Sequence, residues 1–195
     1  AGVPSDPCAS TTFGEGEDYN LFIVPPVAND AGVTEINTPT VGNCTLGSIS
    51  TTVTINTLGT DTLRSATVNW SVNGNLQTPV SVSNLAVPPL GGTHGPVTLG
   101  NYTYSDNDVL CVWTSNPNNV QDSFPSNDTL CFTVKESMGG TYTIGGTSPD
   151  FSTIDSAMTE LSDRGVCSAV VFQIRPGTYN EQIMLGSILG ISAQN

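Results

Sequence analysis

"ATVNWSVNGN", residues 66–75, alternates apolar and polar positions and then turns. Successive strand side chains point to opposite sides, so Val68, Trp70 and Val72 fall on one face. Asn73-Gly74 is a hairpin turn, because both residues tolerate the positive φ that a two-residue loop requires. A half-buried strand ended by such a turn belongs to an antiparallel sheet, and Trp70 is a candidate for its core.

The same pattern extends in both directions. Upstream, Ile49, Thr51, Val53 and Ile55 share one strand face, which Leu58-Gly59-Thr60-Asp61 closes. Downstream, "PVSVSNL", "GPVTLGNYTY", "DVLCVWTSN" and "DTLCFTVKE" read as further strands. Roughly six or seven short strands over about 100 residues predict an immunoglobulin-like β-sandwich.

Alternation also orients two cysteines. If Leu110 and Val112 face inward, Cys111 faces outward; if Leu130, Phe132 and Val134 face inward, Cys131 faces outward too. The two runs form the last hairpin, which predicts a cross-strand Cys111–Cys131 disulfide. Cys44–Cys131 is the second choice, with the first strand beside the last. The five cysteines have no C-x-x-C spacing and one histidine beside them, which argues against zinc and for disulfides in an oxidising compartment.

Composition limits the partners. The net charge is −13, and only Arg64, Lys135, Arg164 and Arg175 are positive. Nucleic acid is excluded as a partner, since binding it depends on neutralising phosphates. An anionic membrane surface is disfavoured for the same reason, and no apolar stretch approaches the ~20 residues that membrane insertion needs. Charged residues make up 11% of a chain rich in Thr, Ser, Asn and Gly, the surface of a secreted all-β protein. No basic, apolar leader opens the chain.

Three segments follow. Residues 1–26 hold one strand, "CASTTFGEGEDYNLFIVPP", ended by the stiff Pro25-Pro26 linker. Residues 27–136 hold the sandwich. Ser137-Met138-Gly139-Gly140 opens a third segment, 137–195. There Ile154, Ala157, Met158 and Leu161 fall at i, i+3, i+4 and i+7 of a helix. Ser152 with Asp155 forms its expected N-cap, and Gly165 ends it. An apolar run, Ala169 to Ile174, then meets a Pro176-Gly177 turn, and Tyr179, Ile183 and Leu185 resume it. A lone strand at one end and an unstacked coil at the other read as a piece of a longer polypeptide.

Gly14, Glu15, Glu17, Asp18 and Tyr19 resemble the closing strand of the bacterial domain named for a Gly-Glu-Val-Glu-Asp motif, with Gly16 in place of Val. That resemblance implies that Cys8 pairs upstream. "DFSTIDSAMTELSDRGVCSAVVFQIRPGTYNEQI", residues 150–183, resembles the entry to a right-handed parallel β-helix of the pectin-lyase-like kind, as in pectin methylesterases. The resemblance implies that the helix caps the first coil of a solenoid. Catalytic carboxylates of such enzymes lie on later coils and match nothing here. "GTYTIGGT", "NGN" at 73–75 and "NDTL" at 127–130 resemble repetitive surface proteins of Bacteroidota, which implies type IX secretion and contact with that secretion machinery.

No residue is assigned to catalysis or to a cofactor. His94, in "GGTHGP", reads as a solvent-exposed turn residue without a triad partner. Asp106 and Asp108 are calcium candidates, since hard cations take carboxylate oxygens. Their stretch lacks the Gly and terminal Glu of an EF-hand loop, so a polar turn is preferred there. Glu15, Glu17 and Asp18 read as a solvated strand end. Trp113 faces outward with Cys111 and reads as packing beside the disulfide or against a neighbouring domain. Asn43, Asn69, Asn101 and Asn127 sit in N-x-[ST], while Bacteroidota-type O-glycosylation after Asp singles out Thr62, Thr129 and Ser156.

The fold class is thus mainly β: a sandwich followed by the helix-capped first coil of a parallel β-helix. The expected role is an extracellular structural or adhesive segment, with a glycan or surface ligand as its partner. The alternatives are the N-terminal part of a secreted polysaccharide-active enzyme, and a filament subunit that self-associates through exposed strand edges.

Overall fold

The computed structural model describes residues 27–192. The expected Gly-Glu-Val-Glu-Asp-like strand, Cys8 and the acidic residues Glu15, Glu17 and Asp18 lie outside them. The protein is mainly β. Strands β1 (Ala31–Thr38), β2 (Ser48–Thr57) and β6 (Thr93–Thr103) form one antiparallel sheet in the order β1-β2-β6. Strands β3 (Ala66–Val72), β4 (Asn75–Leu76), β5 (Val80–Val82), β7 (Val109–Ser115) and β8 (Thr129–Thr133) form a second. Its order is β4-β3-β7-β8, with β5 also pairing β3.

The two sheets share one core. Val53 and Ile55 of β2 and Val97 and Leu99 of β6 meet Val68, Trp70 and Val72 of β3 and Leu110 and Val112 of β7. Most of these residues alternate with less buried neighbours, so removing one face of each sheet from water drives the packing. Trp70 is buried and its indole Nε1–H donates to the Thr78 carbonyl at 2.9 Å, so no polar atom is stranded. The Tyr104 hydroxyl, also in the core, bonds Thr51 Oγ1 at 2.7 Å.

Cys111 and Cys131 stand opposite each other in the β7–β8 register, with Cα atoms 4.1 Å apart, and are bonded. Cys44 bonds Cys167 rather than Cys131, which corrects the second choice. Cys44 lies in the loop before β2, where its neighbour Asn43 bridges Glu136 and accepts from Ser137 N at the start of the C-terminal region.

That region begins sooner than the glycines suggest. The stretch from Ser137 to Gly140, expected as a boundary, runs into β9 (Met138–Ile144). Helix α1 (Ile154–Arg164) and strand β10 (Val166–Ile174) follow, and β10 pairs β9 in parallel, with Phe172 opposite Tyr142. A parallel pair needs a crossover, and α1 supplies it. Its apolar residues Ala157 and Leu161 are buried, and Tyr142, Phe151 and Phe172 gather with ring centroids 5.8–6.2 Å apart.

The helix N-cap is Thr153, one residue later than expected. Its side chain accepts from Ser156 N at 3.1 Å, which leaves Ser152 outside the helix. Gly165 ends it with φ at 69°, where a Cβ would stand 2.8 Å from the Leu189 carbonyl oxygen. Residues Tyr179, Ile183 and Leu185 resume no strand. Ile183, Met184 and Leu185 are exposed, and no described strand pairs with them.

Candidate functional site

The two weak calcium candidates, Asp106 and Asp108, are engaged with other groups. Asp106 Oδ1 accepts from Arg164 Nη1 at 2.7 Å and from Glu136 N at 2.9 Å. Asp108 Oδ1 accepts from Asn73 Nδ2 at 2.7 Å, and its Oδ2 accepts from Ser105 N at 2.8 Å. The positive partner of Asp106 is a guanidinium and Asp108 closes a turn, so calcium is not placed there. Burial raises the Asp106 carboxyl, but its bonds to Arg164 and Glu136 and the charges of Arg164 and Lys135 outweigh that and hold it below the usual value.

A different acidic cluster is buried at one end of the sandwich. Asp30 immediately precedes β1. Asp122 follows a 3-10 turn, Pro117–Asn119, in the long connection from β7, and Asp128 closes that connection just before β8. One carboxylate oxygen from each lies within 4.8 Å of the other two, and the residues are at 6%, 8% and 2% exposure.

The local chain explains this convergence. The Asp30 carbonyl accepts from Leu58 N and Gly59 N at 2.9 and 3.0 Å, so the turn after β2 locks Asp30 in place. A Cβ at residue 59 would stand 2.3 Å from the Ala28 carbonyl oxygen, an approach only glycine allows. The Asp122 carboxylate accepts from Ala31 N at 3.1 Å and from Phe124 N at 2.8 Å, which ties the β7–β8 connection to β1. Asp128 is drawn in by its own carbonyl, which accepts from Val33 N at 3.2 Å.

Side-chain satisfaction within the cluster is uneven. Asp30 Oδ2 accepts from Asn127 Nδ2 at 3.3 Å. Asp30 Oδ1 and Asp128 Oδ1 are buried without a hydrogen-bond partner. Burial raises the Asp30 carboxyl, an effect that the Asn127 bond opposes and the Asp122 charge reinforces. Burial, then the charges of Asp122 and Asp30, push Asp128 up to about 7.

Chemically this is a set of hard oxygen donors with no imidazole or thiolate, which suits calcium or magnesium rather than zinc. A cavity of about 280 Å³, lined by Trp113, Gln121, Asp122, Pro125 and Asp128, leads to the cluster from outside.

The remaining candidates separate by accessibility. Thr129 is exposed at the start of β8, whereas Thr62 is half-buried. Ser156 lies inside α1, where its hydroxyl donates to the Thr153 carbonyl at 2.9 Å. His94 is exposed, but it sits on β6 opposite Ile55 rather than in a turn. Trp113 is half-buried, on the same face of β7 as Cys111.

No family model and no curated protein matches the chain. Among solved structures, the CARDB domain of the PF1109 protein from Pyrococcus furiosus is similar at 24% identity and a TM-score of 0.41. The similarity covers 62% of this chain and 99% of that domain, whose structure is described as a complex with di-metal ions. Nothing about a ligand of this chain follows from that likeness.

Proposed function

We propose that this chain is a non-catalytic structural segment of an extracellular surface protein, which spaces and presents binding surfaces for a glycan or another surface ligand. The observation that carries the reading is the Cys44–Cys167 disulfide, which fastens the sandwich to β10 across a sequence separation of 123. Tension along the chain then passes through a covalent link and spares the residues between. Arg164 reinforces the same junction, bonding both Asp106 and the Glu136 carbonyl. Two disulfides suit an oxidising compartment, and no described helix is long and apolar enough to cross a membrane.

In this reading the sandwich is immunoglobulin-like and β9, α1 and β10 form the first coil of a parallel β-helix. The exposed Val171, Ile174, Leu185 and Ile191 are the surface that a next coil covers. A second copy of the chain on that surface would give the filament. The polysaccharide-active alternative needs carboxylates on coils beyond this one.

Pulling single molecules from both ends tests the proposal. With Cys44–Cys167 intact, the enclosed chain stays hidden from force. Reduction then adds ~40 nm of contour length, at ~3.3–3.6 Å for each of the hidden residues. Equal contour lengths with and without reductant would show that the bond bears no load, and the spacer reading would fall.

A further inference from the structure

We propose that Asp30, Asp122 and Asp128 bind one calcium ion, which ties the two sheets together where β1 and β8 begin. Three carboxylates converge within 4.8 Å, although like charges this close repel one another. Asp30 belongs to the sheet of β1, while Asp122 and Asp128 belong to the connection that feeds the other sheet. Asp30 Oδ1 and Asp128 Oδ1 have no hydrogen-bond partner although their residues are at least nine-tenths buried. A buried carboxylate oxygen without a donor is costly, and a cation at the centre of the group supplies what is missing.

The donor set suits calcium. Calcium binds oxygen at ~2.3–2.6 Å, so oxygens within 4.8 Å of one another can share one ion. Magnesium demands near-octahedral geometry and gives up its waters reluctantly, so three protein carboxylates on one ion suit calcium better. The oxygens already bonded to Ala31 N, Phe124 N and Asn127 Nδ2 keep those bonds and orient the carboxylates toward the ion. The cavity beside Trp113 is the entry path and has room for water ligands. The site requires no particular role for the chain and stands apart from the spacer reading.

The test uses the whole chain, stripped with EGTA and returned to calcium. Isothermal titration should give one calcium per chain, with Tm rising as calcium is added. Magnesium should bind more weakly, and terbium in the site should be sensitised by Trp113. Asp128→Asn keeps the shape of the side chain and removes a charge. It should lower calcium affinity by more than about tenfold while melting, without calcium, no lower than the wild type in EGTA. Asp30→Asn should behave in the same way, which guards against one variant failing to fold. An unchanged Tm and no binding heat at millimolar calcium would overturn the proposal. So would a calcium response of wild-type size in both variants, since the ion would then sit elsewhere.

Discussion

The sandwich and the C-terminal β9-α1-β10 unit bury their apolar residues to very different extents. In the sandwich, Ile55, Leu63, Val68, Val72, Leu110 and Val112 are all at 0–1% exposure, and both sheets close over them. The C-terminal unit buries Met138, Leu161, Val166 and Ile188, yet leaves Val171, Ile174, Met184, Leu185, Leu189 and Ile191 at 50–84%. One sheet of two strands with one helix cannot cover both of its faces, whereas two sheets cover each other. The smaller unit therefore depends on its attachment. A disulfide and the Arg164 and Lys135 ion pairs hold it to the sandwich, whereas the two sheets of the sandwich meet through packing and their disulfide, Cys111–Cys131, lies within one sheet.

Removing the attachment is the strongest way to break this contrast. Replacing both Cys44 and Cys167 by Ser opens a long loop, for which chain entropy gives up to ~4–5 kcal/mol. The loss should fall on one side. Hydrogen exchange is expected to speed up through α1 and β10 while β2, β3 and β7 stay protected. Uniform acceleration across both regions would mean that they unfold as one unit. Trp70→Ala attacks the other side, at ~3–5 kcal/mol for a buried Trp that also leaves the Thr78 carbonyl without its donor. Denaturant melts should show the sandwich midpoint falling, with β10 exchange following it only if the two regions are coupled.

The sequence made this contrast partly legible. Strands β2, β3, β7 and β8 were readable because one face of each meets the core, so burial imposes a period of two. Strand β1 escaped that reading. Its register shifts between Val33 and Glu35 and again between Ile36 and Thr38, and each bulge breaks the alternation. Strand β9 was hidden by Gly139-Gly140, since pairing with β10 fixes that backbone more than local propensity does. The Cys111–Cys131 hairpin was visible because the partners face each other on adjacent strands. Cys44–Cys167 has no local signal, because one cysteine lies in a loop and the other across a helix crossover. The aspartate cluster was the least legible feature. Asp30 and Asp122 are far apart in sequence, and Asp128 sits in "NDTL", which reads as a modification motif. What joins them is the bonding of Asp122 to Ala31 N and of Val33 N to the Asp128 carbonyl, and tertiary pairing of that kind leaves no periodic trace.

The smallest effect concerns the charged seam between the two regions, and its sign follows from linkage. Burial raises the Glu160 carboxyl, but its bonds to Arg164 and Lys135, with their charges, hold it below its ordinary 4.5. Asp106 is held below 3.8 by Arg164, Glu136 N and Lys135 against the same desolvation. Since both groups have lower values folded than unfolded, the unfolded chain takes up more protons as acid is added. Their stabilisation is present in full above pH 4.5 and fades as pH falls through the folded values. Solvent reaches Asp106, whose side chain is 37% exposed, so the seam as a whole should be worth only about 1 kcal/mol. Arg164→Met removes the guanidinium and keeps much of the stem. In denaturant melts, wild type should exceed this variant by about that amount at pH 6 and converge on it toward pH 3. A difference that stays constant with pH would mean that Arg164 contributes by packing against Glu136 and Ser137 rather than by charge.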